Sequence, residues 1–133
     1  MPEFSYAPPL PPKPTNEGFV QTVHLIDAGK PVGTARWHVR PGAPDGVAQL
    51  LELTITGRVR QGLGRQLLDD VTDQARAYFK SRGTRLRRMW MAVEQKGQVI
   101  GRAFLTEHGY HHVATLQELM HKQDTLLYMK SFD

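Results

Sequence analysis

A glycine-containing segment between a predicted strand and a predicted helix has residue types that suit the binding of an anion. It reads Arg60-Gln61-Gly62-Leu63-Gly64-Arg65. The first residues of a helix leave backbone N–H groups unpaired, and the helix dipole adds partial positive charge at the same point. Glycines carry no Cβ, so a phosphate can approach the backbone closely. The segment therefore predicts a phosphate or pyrophosphate site, with Arg58, Arg60 and Arg65 adding charge at its rim.

Two nucleotide-binding motifs that also use glycines do not fit this segment. A dinucleotide-binding motif needs a third glycine where this chain has Leu67, and an acidic residue about 20 residues further on, which is missing. A P-loop needs Gly-Lys followed by Ser or Thr, which the segment lacks. Because the Gly-x-Gly pattern is short, an alternative remains: a strand-to-helix turn that binds no anion and uses its glycines only for the backbone conformation.

The elements around the segment follow from the spacing of apolar residues. Strands are predicted over residues 19–26, 32–39, 47–56, 86–93, 110–120 and 125–132. A helix is predicted over 64–82, because apolar residues recur three and four apart: Leu67, Leu68, Val71, Ala75, Tyr78 and Phe79. A second helix is predicted over 98–108, with these residues inward: Val99, Ile100, Ala103 and Phe104. A strand, a helix and a further strand in succession predict a parallel pair.

Length and composition limit the class of protein. A chain of 133 residues is the usual size of one domain, so we expect a proline-rich arm over 1–18 and a single domain over 19–133. The absence of cysteine excludes disulfides, thiolate metal sites and cysteine nucleophiles. With no membrane-spanning run and no signal-peptide pattern, the sequence predicts a cytoplasmic protein with no membrane partner. The net charge of +4 favours anionic partners without choosing among them.

Over residues 19–132 the chain resembles the GNAT superfamily of N-acetyltransferases in the order of its elements and in two motifs. The family loop motif, Gln/Arg-x-x-Gly-x-Gly/Ala, is matched by Gly62 and Gly64, with Val59 at its leading position. The second motif places Asn, Ala and Tyr ahead of a Gly-Phe pair. Its positions here hold Gln98, Gly101, Leu105 and Gly109-Tyr110.

The resemblance implies a fold and a cosubstrate. The fold is α/β (α+β), a mixed and mostly antiparallel sheet with a central parallel strand pair and two main helices. The two helices that the family places ahead of the hairpin starting at Phe19 are expected to be missing. The implied cosubstrate is acetyl-CoA, lying in a slot where strand 89–93 splays from strand 51–56. Its implied binding residues are Leu53, Ile55, Arg60, Gln61, Gly62, Leu63, Gly64, Arg65 and Gln98.

The implied reaction is direct attack of a primary amine on the thioester. An amine with a lysine-like pKa of about 10.4 must first lose a proton, and Glu52 is the expected base. It is the only carboxylate in its strand and shares a face with Thr54 and Thr56, opposite Leu51, Leu53 and Ile55. A surface role for Glu52 is equally open. The family tyrosine that can protonate the leaving thiolate is Leu105 here, which has no proton to give.

Histidines are alternative bases, although a structural role is the simpler interpretation of each: His24, His38, His111, His112 and His121. No metal site is expected from their spacing. The wall of the site that binds the amine acceptor is expected to come from Trp37, Trp90, the loop 40–46 or a second subunit. A homodimer is therefore an open alternative.

Three functions compete at this point. The first is an N-acetyltransferase, and the second is a module on the same fold that binds CoA or a protein partner without catalysis. The third is nucleic-acid binding through Arg82, Arg85, Arg87 and Arg88, which a solvated surface or a contact to the adenosine 3′-phosphate of CoA explains as well. Nucleic acid is therefore not an expected partner.

Overall fold

The computed structural model describes residues 3–7, 19–40, 45–55, 62–94, 99–120 and 123–132. The elements in chain order are β1 (Glu3–Ala7), β2 (Phe19–Asp27), β3 (Lys30–Val39), β4 (Val47–Ile55), α1 (Leu63–Ser81), β5 (Arg88–Glu94), α2 (Val99–Glu107), β6 (His111–Met120) and β7 (Gln123–Ser131). Both predicted helices and all six predicted strands are confirmed, with bounds within two residues of the predicted ones. Neither described helix has the length and apolarity that crossing a bilayer requires.

The strands form one mixed sheet in the order β1-β2-β3-β4-β5-β7-β6. Every neighbouring pair is antiparallel except β4 and β5, which are parallel and are connected through α1. This confirms the predicted fold class, including its central parallel pair.

The first strand lies inside the segment 1–18 that the sequence predicts to be an arm. β1 pairs along the edge of the sheet with β2, and Phe4 and Tyr6 face the core. The Tyr6 hydroxyl donates a hydrogen bond to Asp70 Oδ1 on α1 at 3.1 Å. An edge position suits a strand that precedes a proline-rich segment. The sheet thus begins well before Phe19, and residues 8–18, which connect β1 to β2, lie outside the described residues.

The core is built between α1 and the inner face of the sheet. The predicted apolar stripe of α1 is buried, together with Leu63 at its first position. Trp37 on β3 is fully buried, and its Nε1 donates to Gln74 Oε1 at 2.9 Å. Trp37 is therefore a core residue, which removes it from the candidates for an acceptor wall.

Helix α2 lies on the same side of the sheet as α1. A Cβ on Gly64 would stand 3.3 Å from the Phe104 ring, so the two helices approach closely at that glycine. Of the predicted inward face of α2, Phe104 packs against the core as predicted, whereas Ala103 is exposed and Leu105 is buried. The side chains of Val99 and Ile100 lie outside what the structure describes. The prediction for Ala103 is wrong, since only contact with the sheet decides which side of a short helix is covered.

Gly46, just before β4, occupies a position where a residue with a side chain would clash with the backbone. Its φ is +80°, and a Cβ there would lie 2.3 Å from the Arg85 carbonyl oxygen. Its own carbonyl accepts hydrogen bonds from the N–H groups of Arg87 and Arg88 at 2.7 and 3.1 Å. This contact fixes the start of β4 against the start of β5.

We expect Gly46→Ala to destabilise the fold much more than Gly29→Ala. Gly29 also has a positive φ, of +77°, but a Cβ there meets nothing within 4 Å. The Gly29 variant should cost about 1–2 kcal/mol for the left-handed backbone alone, and the Gly46 variant at least about 2 kcal/mol more because backbone must move. Urea unfolding of both variants measures the difference, and equal losses would contradict the close contact.

A second prediction concerns Asp70, which accepts hydrogen bonds from Tyr6 and from Gln74 Nε2, the latter at 2.6 Å. Desolvation by burial raises the pKa of Asp70 above its usual value of 3.8, and the nearby Asp73 charge also raises it. The folded state therefore holds the proton more tightly than the unfolded state, so acidification from neutral pH toward 3.8 stabilises the wild type at this site. The variant Asp70→Asn has no such titration.

Urea unfolding at pH 7 and pH 4.5 tests this sign. The stability of the wild type relative to Asp70→Asn should rise on acidification. A relative stability that stays constant or falls would contradict the raised pKa.

Candidate active site

The N-terminus of α1 is open for an anion on the residues that the structure describes. Gly62 precedes the helix with φ +93°, and no side chain caps the first turn, which also lacks an acidic residue. The first described helical bond runs from the Gln66 N–H to the Gly62 carbonyl at 2.9 Å. The N–H groups of Leu63, Gly64 and Arg65 therefore have no partner within the helix.

The predicted glycine segment is described only in its second half. Gly62, Leu63, Gly64 and Arg65 form the helix start, while Arg60 and Gln61 lie outside the described residues. Leu63 is buried and anchors the turn from below. Arg65 is exposed, and its Nε lies 3.8 Å from Asp69 Oδ2, an exposed pair that contributes little to stability. The Arg65 side chain is thus free to reorient toward an anion.

A glycine that the sequence prediction did not single out brings this helix end down onto the sheet. A Cβ on Gly33 of β3 would lie 2.8 Å from Ile55 Cδ1 and 3.3 Å from Leu67 Cδ2. A glycine inside a predicted strand is a known sign of close approach by other groups, so this signal was present in the sequence.

Beside the helix end, β4 and β5 separate. Their parallel pairing covers only Val47–Gln49 against Arg88–Trp90, although β4 continues to Ile55 and β5 to Glu94. The backbone of β4 beyond Gln49 therefore has no described partner on its β5 side. The pairing thus ends where the resemblance implied that the strands diverge, and we name the space between β4 and β5 beyond Gln49 the slot.

A β-bulge in β4 marks the beginning of the slot. Arg36 on β3 pairs with Glu52, whereas the next residue, Trp37, pairs with Leu50, so Leu51 has no counterpart. Before the bulge Leu50 faces the core, and after it Leu53 and Ile55 do. Leu51 itself is 37% exposed. The prediction that Leu51 shares the inner face with Leu53 and Ile55 is therefore wrong, because the bulge shifts the alternation by one residue.

Glu52 lies on the outer face of the sheet, the side opposite α1. The Thr54 hydroxyl, two residues along β4, donates to Glu52 Oε2 at 3.3 Å. Glu52 is half-buried, which leaves its carboxylate accessible from the outer face. Thr56, predicted on the same face, lies outside the described residues.

Two histidines share the outer face with Glu52, since they occupy matching registers of β2 and β3. His24 Nδ1 lies 3.2 Å from the Thr34 hydroxyl across the strand pair, and His38 is paired with Gln49. Half-buried Trp90 of β5 pairs with Gln49 in turn, so it also lies on this face. His111 and His112 are exposed on the far strand β6, three positions along the sheet order from β4. His121 lies outside the described residues.

Among the described residues, the positions of the second predicted motif provide no proton donor at the slot. Leu105 is 2% exposed and part of the apolar core. Tyr110 is 1% exposed, and burial raises its pKa, so its hydroxyl holds its proton at neutral pH. It lines a separate cleft near Asp73 and Lys130, away from β4. Gln98 lies outside the described residues.

Comparison with solved structures finds the same architecture in several acetyltransferases. A GNAT-family acetyltransferase from Desulfovibrio desulfuricans matches with a TM-score of 0.71 and 21% identity, over 84% of this chain and 69% of that one. A ribosomal-protein-alanine N-acetyltransferase from Brucella melitensis gives 0.65 and 20%, over 85% and 69%. The PaiA N-acetyltransferase from Thermoplasma acidophilum, solved with coenzyme A, gives 0.60 and 14%, over 87% and 62%.

Sequence comparison adds nothing to this. No protein-family model matches the chain, and no curated protein matches it either.

Proposed function

Since the chain has the fold of the GNAT acetyltransferases, we propose that it is an acetyl-CoA-dependent N-acetyltransferase that acetylates a primary amine. The observation that carries the proposal is the slot between β4 and β5 beside the uncapped start of α1. On the residues that the structure describes, this strand edge has no partner strand and the helix start has no side-chain cap, an arrangement that suits a long ligand with a pyrophosphate.

The proposed binding residues are those that the resemblance implied. Backbone N–H groups from Gln61 to Arg65 would hold the pyrophosphate, because those of Leu63, Gly64 and Arg65 have no partner within the helix and lie at the positive end of α1. The free edge of β4 at Leu53 and Ile55 would pair with the amides of the pantetheine arm, as one strand adds to another. Gln98 would offer a side-chain amide to the same arm. The complex of the PaiA enzyme with coenzyme A supports this class of ligand.

Glu52 would act as the general base, directly or through a water. Bound acetyl-CoA supplies the thioester whose carbonyl carbon the amine attacks. Glu52 takes the proton that the attacking nitrogen gives up, and Thr54 holds one carboxylate oxygen in place. The carbon–sulfur bond then breaks, and the thiolate leaves as an anion, which a thiol pKa of about 8.5 allows near neutral pH.

The acceptor would approach from the outer face of the sheet. Glu52, His24 and His38 lie on that face, and Trp90 gives it a partly apolar surface. The chemistry specifies a primary amine and leaves its carrier, a small molecule or a protein, for a substrate panel to identify.

A non-catalytic CoA-binding or protein-interaction module on the same fold is the second candidate. The observation that favours it is Leu105, a buried hydrocarbon side chain at the position of the family tyrosine. General acid help is typically worth about 10²- to 10⁴-fold in rate, so its loss would leave a slow enzyme or a binder.

Calorimetric titration with acetyl-CoA tests the cosubstrate, using Gly62→Asn and Gly62→Asp as matched variants. Both introduce a Cβ at a positive φ, into space where nothing lies within 4 Å, so they differ only in charge. The Asp variant should bind about 100-fold or more weakly than the Asn variant. Like charges about 4 Å apart repel by about 4 kcal/mol at an effective dielectric constant of about 20.

The folding control for this pair is the melting temperature. An Asp at the start of α1 interacts favourably with the helix dipole, so Gly62→Asp should melt no lower than Gly62→Asn. Absence of heat for the wild type at millimolar acetyl-CoA would refute the N-acetyltransferase and would also refute a module that binds CoA. Equal binding by the two variants would place the pyrophosphate elsewhere.

Glu52→Gln tests catalysis once binding is established. With acetyl-CoA saturating, the variant should lose about 10²- to 10⁴-fold in kcat toward any amine that the wild type acetylates, with an unchanged Kd for acetyl-CoA. Glu107→Gln is the control, because Glu107 is exposed at the end of α2 on the other side of the sheet. Thiol release measured across a panel of amines reports the rate. Binding without transfer to any amine would favour the module, and full activity of Glu52→Gln would exclude Glu52 as the base.

A further inference from the structure

A basic segment at the far end of α1 takes no part in the proposed reaction. Residues 76–88 contain six of the chain's 17 Lys and Arg residues and no Asp or Glu. They are Arg76, Lys80, Arg82, Arg85, Arg87 and Arg88. The C-terminal pole of a helix carries only about half a negative charge. The helix dipole therefore offsets only a small part of the positive charge of this segment.

The structure brings three of these cations together around one cleft. Arg76, Lys80 and Arg85 line a cavity of about 280 Å³ with an apolar floor of Leu86 and Phe132. Among the residues that the structure describes, no acidic side chain lines it. Within the described part of the chain, none of these three forms an ion pair within 4.0 Å. The Arg76 guanidinium lies 5.2 Å from the centre of the Phe132 ring, which keeps it at the mouth of the cleft.

Two further arginines of the segment, Arg87 and Arg88, are exposed where the chain enters β5, outside this cleft. Their backbone N–H groups donate to the Gly46 carbonyl. Arg88 stands two residues before Trp90 in β5, so it lies on the outer face of the sheet, opposite α1. We name the cleft lined by Arg76, Lys80 and Arg85 the basic cleft.

The basic cleft is separate from the candidate acetyl-CoA site. At a rise of about 1.5 Å per residue, Arg76 and Lys80 lie about 21 and 27 Å along α1 from Gly62. A CoA molecule with its pyrophosphate at Gly62 cannot also place its adenosine 3′-phosphate here, because one ribose separates the two groups. The contact to that phosphate, left open by the sequence, therefore does not account for these arginines.

We propose that the basic cleft binds the phosphodiester backbone of a nucleic acid without reading its sequence. Three cations around one cleft can contact more than one phosphate of such a backbone. Two of the three are arginines, whose planar guanidinium groups can hold phosphate oxygens in pairs. The apolar floor can contact a sugar or the face of a base, while charge supplies most of the affinity.

Fluorescence anisotropy with a labelled 20-nucleotide single-stranded RNA tests the proposal in the full chain. The key variant removes the three cleft cations together: Arg76→Gln, Lys80→Gln and Arg85→Gln. A matched variant removes three exposed cations on the meander: Lys30→Gln, Arg36→Gln and Arg40→Gln. Both variants lower the net charge by the same amount, so a difference between them cannot come from net charge. Melting temperatures verify that both are folded.

The wild type should bind with a strong dependence on salt. Each phosphate contact contributes a slope of about −0.7 in log K against log salt for single strands, so losing three contacts should reduce the slope by about two units. At 0.15 M salt this corresponds to roughly 50-fold weaker binding by the cleft variant. The matched variant should retain the slope of the wild type.

Three results would overturn the proposal. They are no RNA binding by the wild type, equal loss in the two triple variants, and displacement of the RNA by polyglutamate of equal charge as readily as by unlabelled RNA. The last result would indicate an acidic protein as the partner. None of these measurements depends on acetyl-CoA, so the proposed enzyme activity can fail while RNA binding holds, and the reverse.

Discussion

The short parallel contact between β4 and β5 is the constraint on which the candidate active site depends. Three residues of each strand pair, and beyond them the bulge at Leu51 bends β4 away. Full pairing would satisfy more backbone groups and would also close the slot. The unpaired edge is tolerable because it opens to solvent or to a ligand that can itself form the missing hydrogen bonds. A ligand with amides along its length is suited to that edge.

A one-sided core follows from the same arrangement. Both helices lie on one face, and their contacts bury Trp37, Tyr78 and Phe79 there. The other face of β2, β3 and β4 has polar residues at matching registers, including the His24–Thr34 pair. These residues can remain hydrated, so the face needs no covering layer to be stable. The candidate base Glu52 is reachable because its face is polar.

The sequence predicted the parts of the fold that depend on local periodicity. The α1 stripe and the Gly62–Gly64 helix start could be recognised, because residues three and four apart share a face whatever surrounds them. β1 could not, since Phe4 and Tyr6 give too short an alternation ahead of the prolines. The exposure of Leu51 could not be predicted from the sequence either, because it depends on the bulge, that is, on which residues of β3 pair with β4. The spacing of the second motif placed Leu105 at the family tyrosine position. Only the packing of α2 on the sheet showed that Leu105 is buried and Ala103 exposed.

The parallel contact also has a kinetic consequence. Val47 and Arg88, which pair in it, are separated in sequence by the whole of α1, whereas the β2–β3 and β6–β7 pairs join neighbours in the chain. The hairpins can form with little loss of chain entropy, but the seam between the two halves closes a long loop and gains few hydrogen bonds in return. Its formation should therefore come late in folding, after α1 has docked on the meander. The width of the slot is therefore set where the described strands share the fewest paired residues.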